Sequence, residues 1–237
     1  MLELKNISFT VTVSGEKKNI LENINLLLPD SMFAVITGPN GSGKSTLAKI
    51  IAGIESPTEG SILFNGKDIT KMSIAERAKE GIGFAFQQPV RFKGITIKDL
   101  IELAAGKKLN TEEACAYLSE VGLCAAEYVT REMDSSLSGG ELKRIEIAML
   151  LARNVQLSIF DEPEAGIDLW SFQNLTGVFE KMKQKKGTVI IISHQERILN
   201  IADTIIVVTS GKITAQGQKN DILPALLKDI DTCKFFK

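Results

Sequence analysis

Residues Gly38-Pro39-Asn40-Gly41-Ser42-Gly43-Lys44-Ser45 spell the pattern G-x-x-x-x-G-K-[ST], and their flanks restrict the fold more than the match itself. Met32 to Thr37 ahead of them is apolar and of strand length, and Thr46-Leu47-Ala48-Lys49-Ile50-Ile51-Ala52 behind them reads as a helix. Strand, glycine loop and helix in that order make a phosphate cradle. The glycines let backbone N–H groups close on phosphate oxygens, and the helix N-terminus adds partial positive charge. Lys44 would reach the terminal phosphates and Ser45 would ligate Mg²⁺, with Thr46 completing the nucleotide-binding run.

The rest of the composition removes alternatives. At 237 residues the chain suffices for one large domain or two small ones, and its net charge of −1 supplies no basic field, so no nucleic-acid partner is expected. Cys115, Cys124 and Cys233 are odd in number and lack C-x-x-C spacing, which suggests reduced thiols rather than disulfides or zinc. No apolar run reaches the roughly twenty residues that span a bilayer. Met1-Leu2-Glu3-Leu4-Lys5 has no basic segment leading into an apolar one. The expectation is a cytoplasmic protein with no direct membrane insertion.

Along the chain, apolar and polar residues tend to alternate from Leu2 to Leu28 around Ser14-Gly15-Glu16-Lys17-Lys18, which predicts antiparallel strands and a turn. Ser61 to Phe64 precedes Asn65-Gly66, the preferred type I′ pair, so a hairpin follows the loop helix. Gly81 to Phe86 is a short apolar strand, and about Thr96 to Leu137 turns helical, with caps at Thr96/Asp99 and Asn110/Glu113. Ser138-Gly139-Gly140 opens a helix, Val155 to Phe160 is a strand, and Leu169 to Lys185 is a helix. Thr188 to Ile192 is β-branched throughout, as in a strand buried on both faces. A last hairpin turns at Ser210-Gly211, and the tail from Asp229 to Lys237, with Cys233, Phe235 and Phe236, reads as a frayed or self-packed terminus.

Two further groups of residues carry chemistry. Asp161 and Glu162 follow an apolar strand, where one carboxylate can serve Mg²⁺ and the other can take a proton from water. Leu137-Ser138-Gly139-Gly140-Glu141 is a second anion-binding nest at a helix start. Two nests in one chain suit a sandwich dimer.

With Leu137 to Glu141 in place, the sequence resembles the ATP-binding cassette (ABC) family, whose signature is L-S-G-G-x. That resemblance covers nearly the whole chain and implies an α/β P-loop core of mixed sheet, with an N-terminal antiparallel β subdomain and an inserted helical subdomain. It implies one cassette domain over 1–237, with 1–87 and 138–237 forming the catalytic core and about 88–137 the helical part. By the same resemblance Ser138, Gly139 and Gly140 bind the γ-phosphate held by a second copy, in a nucleotide-dependent homodimer. Gln87 is similar to the family's Q-loop glutamine at Mg²⁺ and water, His194 to its switch histidine, and Ala165-Gly166-Ile167-Asp168 to its D-loop. The family's adenine-stacking aromatic has no counterpart in Val11 to Gly15, so affinity would rest on the phosphates.

Local wording narrows the resemblance. Phe84-Ala85-Phe86-Gln87-Gln88-Pro89-Val90, Ser138 to Glu146 with its Lys143-Arg144 pair, and Asp161-Glu162-Pro163-Glu164-Ala165-Gly166-Ile167-Asp168 resemble the SufC branch, the ATPases of SUF iron–sulfur cluster assembly. That implies ATP and Mg²⁺ as cofactors and SufB- or SufB/SufD-like scaffold proteins as partners. The alternative implied by the wider family is the ATPase subunit of a membrane importer.

Overall fold

The computed structural model describes residues 1–134, 136–184 and 187–232. It divides into two compact units, Met1–Glu80 with Thr188–Lys237, and Gly81–Gly187. The end of the tail, Cys233 to Lys237, lies outside the described residues, as does Lys185 at the end of the expected Leu169 helix.

In the first unit β1 (Leu2–Val13) and β2 (Glu16–Leu28) pair antiparallel around Ser14-Gly15, as the alternation predicts. Next come β3 (Phe33–Thr37), buried at every residue, and α1 (Lys44–Ala52). β4 (Glu59–Phe64) and β5 (Lys67–Asp68) follow. Their turn puts Asn65 at φ 52° and Gly66 at φ 79°, the double positive φ of a type I′ hairpin. β4 pairs with β1, giving the order β2-β1-β4-β5. The six-residue α2 (Ile74–Lys79) is too short for periodicity to reveal, and it starts on a Ser73/Glu76 capping box. Its Arg77 is fully buried and donates to the Ile50 and Ile51 carbonyls at 2.6 and 2.9 Å. Those carbonyls belong to the last turn of α1, where intrahelical donors run out, so Arg77 closes that helix end.

The second unit holds β6 (Ile82–Ala85), β7 (Phe92–Thr96), α3 (Ile97–Ala105), α4 (Thr111–Glu120), α5 (Ala125–Tyr128) and β8 (Glu132–Met133). After these come α6 (Gly139–Arg153), β9 (Leu157–Asp161) and α7 (Leu169–Gln184). Both expected capping boxes form, Thr96 with Asp99 and Asn110 with Glu113. The purely helical reading of Thr96 to Leu137 misses one feature. β7 and β8 pair antiparallel, Phe92 opposite Met133 and Thr96 opposite Glu132, and pin the two ends of the helical segment together. A two-residue strand leaves no period in sequence. α3 and α4 pack on α6, whose Ile145, Ala148 and Ala152 are buried. β6 and β9 run parallel.

The chain then returns to the first unit through β10 (Thr188–Ile192), α8 (Glu196–Ile201), β11 (Thr204–Thr209), β12 (Lys212–Gln218) and α9 (Lys219–Thr232). β10 and β11 flank β3 in parallel and β12 lies antiparallel on β11, so this unit's strands run β12-β11-β3-β10. All five residues of β10 are buried, the pattern of a strand covered on both faces.

Candidate functional site

The phosphate loop leaves the C-terminal end of β3 and enters α1. Gly38 sits at φ 133°, and a Cβ there would stand 2.0 Å from the Val208 carbonyl oxygen. Gly43, at φ 101°, would meet Leu21 Cδ2 at 2.7 Å. Neither position admits a side chain, so the tight curl of Gly38-Pro39-Asn40-Gly41-Ser42-Gly43 follows from packing as well as from the turn. Lys44 is buried at 4% exposure and its Nζ donates to the Gly38 and Pro39 carbonyls, each at 2.8 Å. The ammonium is therefore held over the loop by the loop itself. The Ser42 Oγ is buried and has no hydrogen-bond partner among the described residues. A buried hydroxyl without a partner, in a glycine loop that leads into a helix, fits a phosphate oxygen, which would supply the missing partner. Ser45 and Thr46 follow in the first turn of α1, both half-buried. Parallel pairing sets Ile192 opposite Ile36, and Ser193 N–H donates to the Ile36 carbonyl at 3.2 Å, so His194 leaves the same sheet edge as the loop. His194 is exposed there.

In the second unit the register Ala85 opposite Phe160 sends Gln87 and Asp161-Glu162 off one edge. Gln87 Nε2 donates to Glu162 Oε2 at 2.7 Å. Asp161 is buried, and Glu162 takes φ 47°, a left-handed backbone that a non-glycine residue holds at a cost of about 1 kcal/mol or more. That twist ends β9 and turns the Glu162 carboxylate toward Gln87. Leu137-Ser138-Gly139-Gly140 leads into α6, the expected helix start. Ser138 caps α6, accepting from Glu141 N–H, while Glu141 Oε2 accepts from Ser138 N–H at 2.6 Å, and Gly139 and Gly140 open the helix. Tyr128 OH donates to the other Glu141 oxygen, so α5 holds the cap from outside. Asp168 stands exposed ahead of α7, its carbonyl accepting from Phe172 N–H at 2.9 Å.

Sequence reasoning used Lys143 only as a mark of likeness. In the structure it is buried, and its Nζ donates to the carbonyls of Glu162 and Ala165 at 2.9 and 2.5 Å, tying the signature helix to the loop after β9. Burial pushes the Lys143 ammonium below its usual range, against the opposing pull of Glu164, Glu146, Glu162 and Asp161.

Glu146, one turn further along α6, had no assigned role. Its Oε1 accepts from Phe86 N–H at 3.0 Å, and burial pushes its carboxyl up to about 7 from 4.5. The folded chain thus holds this proton more tightly than the unfolded chain. The corresponding stability is complete below pH 4.5 and is lost as pH rises through about 7. At 1.36 kcal/mol per pKa unit, the ionised carboxylate costs about 3 kcal/mol at pH 8. Glu146→Gln, which keeps the acceptor for Phe86, is expected to stabilise the fold by about 2–3 kcal/mol at pH 8 and to change it little at pH 5. Urea unfolding of both proteins at the two pH values measures this, and an equal difference at both would refute the assignment.

The geometry can be set beside known proteins. A family model described as ABC transporter matches residues 21–165. The chain belongs to the ABC transporter family. An uncharacterized ABC transporter ATP-binding protein of Methanocaldococcus jannaschii is 36% identical over 224 residues, covering 91% of this chain and 90% of that protein. The probable ATP-dependent transporter ycf16 of Antithamnion sp. is 34% identical, with 92% and 91% covered. The sulfate/thiosulfate import ATP-binding protein CysA of Synechocystis sp. is 35% identical over 85% of this chain, which spans 57% of that protein. Among solved structures, the dimeric post-hydrolysis state of the ATP-binding cassette MJ0796, bound to ADP and Pi, superposes with a TM-score of 0.83 at 26% identity, covering 92% of this chain and 99% of that one. The chain is an ATP-binding cassette ATPase with the family's mixed α/β fold. Among the described residues no helix is long and apolar enough to cross a membrane.

Proposed function

We propose that this cassette hydrolyses ATP to change the conformation of a SufB- or SufB/SufD-like scaffold in the cytoplasm during iron–sulfur cluster assembly. The observation that carries the reading is Lys143. The lysine of the pair on which the SufC likeness rests is built into the machinery, bridging the signature helix to the Asp161-Glu162 loop.

In this mechanism Gly38 to Thr46 bind the nucleotide phosphates, and Lys44 shifts from its loop carbonyls onto the terminal phosphates. Ser45, Asp161 and Gln87 offer a hydroxyl, a carboxylate and an amide oxygen, hard donors suited to Mg²⁺. Held there, Mg²⁺ would supply charge neutralisation to the phosphates. Among the described residues no cluster of three or more His, Cys, Asp or Glu could hold a metal ion. Glu162 takes the proton of the attacking water while Gln87 holds the carboxylate in place, and His194 hydrogen-bonds the γ-phosphate. Ser138, Gly139 and Gly140 of a second copy cap the same phosphate, with Asp168 at the interface between copies. Closure therefore requires ATP, and hydrolysis reopens the pair, so nucleotide state selects the partner's conformation.

The similarity to CysA supports a second reading, the ATPase subunit of a membrane importer. Anaerobic, detergent-free isolation from native cells separates the two. A co-purifying scaffold that carries iron and sulfide, and raises ATP turnover when added back, supports cluster assembly. A partner recovered only from the detergent-solubilised membrane fraction overturns it in favour of import.

A further inference from the structure

The contact between α6 and the end of β6 has no task in the nucleotide chemistry. β6 runs parallel to β9, and their pairing stops at Ala85 opposite Phe160. The next amide in the chain, Phe86 N–H, lies beyond that ladder, and Glu146 Oε1 accepts from it at 3.0 Å. α6 comes close enough because β6 presents a glycine to it: a Cβ on Gly83 would stand 2.3 Å from Leu150 Cδ1. Leu150 and Glu146 lie one turn apart on the same face of α6. The packing that admits one therefore delivers the other to the strand end.

The side chain chosen for this contact is a costly one. Glu146 floors an open groove of about 410 Å³ among Phe84, Phe86, Phe92, Leu103 and Met149, and a carboxyl there gives up hydration that such neighbours do not replace. An aliphatic residue would pack without that cost but would leave Phe86 N–H without this acceptor. Phe86 is fixed at its ring as well, edge-on to Phe84 with centroids 4.9 Å apart, while Gln87 and Gln88 are exposed. The chain thus leaves the body of the unit at Phe86. From there a single Cα–Cα step of about 3.8 Å leads to Gln87. Its Nε2 donates to Glu162 Oε2 at 2.7 Å, so a displacement of the Phe86 amide reaches Glu162 with little slack. A misplacement on the order of 1 Å near reacting atoms costs about 10²-fold in rate.

We propose that Glu146 is a positioning residue for ATP hydrolysis: by accepting from Phe86 N–H it fixes the backbone entering Gln87 and, through Gln87, the carboxylate of Glu162. The inference rests on the roles of Gln87 and Glu162 in the proposed mechanism and adds the residue that sets their geometry. Glu146 acts through Gln87 and not on the phosphates, so its effect belongs to the chemical step and not to nucleotide binding.

The test follows ATP hydrolysis by the full chain at pH 6, where a carboxyl with a pKa of about 7 and an amide in its place are both mainly neutral. Glu146→Leu and Glu146→Ala, which lack the acceptor, should lower kcat about tenfold and leave the KM for ATP within about twofold, because the phosphate loop is untouched. Glu146→Gln restores an acceptor at the same reach and should recover most of that loss. In a Gln87→Ala background, Glu146→Ala should change kcat by less than about twofold, since the residue it acts through is gone. Hydrogen–deuterium exchange reads the contact itself: the Phe86 amide should exchange about tenfold faster in Glu146→Ala than in the wild type or Glu146→Gln. Urea unfolding checks that each variant compared is folded, and the alanine variant adds no bulk to the groove. Unchanged kcat in both acceptor-free variants, a raised KM at unchanged kcat, a loss that Glu146→Gln does not recover, or a full further loss in the Gln87→Ala background overturns the proposal. Wild-type turnover in Gln87→Ala alone removes the role of Gln87 and the positioning role with it. Slow turnover in Gln87→Ala beside normal turnover in Glu146→Ala removes only the assignment of Glu146.

Discussion

Glu162→Gln is expected to bind ATP with near-normal affinity, to lose at least about a hundredfold in turnover, and to accumulate as a closed dimer when ATP is added. General-base assistance contributes about 10²–10⁴ in rate, equivalent to about 3–5 kcal/mol of barrier. Glutamine keeps the shape and can still pair with Gln87, which holds the carboxylate at 2.7 Å, but it cannot accept a proton from water. Because Glu162 belongs to neither the phosphate loop nor the Lys44 contacts, binding should survive the change. Phosphate release measured in single turnover, with size-exclusion chromatography in ATP and in ADP, checks both parts. Wild-type turnover in the variant would remove Glu162 as the base and leave the buried Asp161 as the carboxylate to examine.

Gly38→Ala carries the largest expected loss of stability. The new methyl would stand 2.0 Å from the Val208 carbonyl oxygen, a backbone atom in β11 that cannot swing aside as a side-chain tip would. The positive φ of 133° adds its own strain for any residue with a Cβ. Together these are expected to cost at least about 3 kcal/mol, through displacement of either β11 or the loop. Displacing the loop carries the Gly38 and Pro39 carbonyls away from Lys44 and distorts the phosphate loop. ATP should then fail to protect the variant. Urea unfolding with and without Mg·ATP measures both effects, since the wild type gains RT ln(1 + [L]/Kd) from ligand. An ordinary unfolding midpoint together with ATP protection would show that β11 yields without cost and refute the packing argument.

The parts of the molecule that sequence made legible share one property, which is that their signals are local. The strand–loop–helix around Lys44 is a run of neighbouring residues, and so are the Asn65-Gly66 turn, the buried β10 and the capping boxes at Thr96 and Asn110. Each reflects a backbone preference or a hydrophobic period that acts over a few residues. Gln87, Asp161, Glu162 and His194 could be named because they sit at strand ends inside recognisable motifs, and the parallel registers of β6 with β9 and of β3 with β10 bring each set to a common edge.

What stayed hidden depends on residues far apart in the chain. Arg77 could not be read as the cap of α1, because its acceptors lie more than twenty residues away. β8 became a strand only by meeting β7, about forty residues upstream. Glu146 shows the contrast most sharply. By sequence it is one more acidic residue on a helix, and the helix itself was foreseen. Its raised pKa comes from burial, among the aromatic, leucine and methionine side chains that β6, β7, α3 and β8 bring around it. Sequence by itself therefore determined the nucleotide-binding motifs and the order of elements that carries them, since short-range sterics and hydrogen bonding suffice for those. Only the tertiary structure decided which carboxylates are strained, which cations are committed and which apolar surface is left open, because desolvation is a property of assembled neighbours and not of any segment alone.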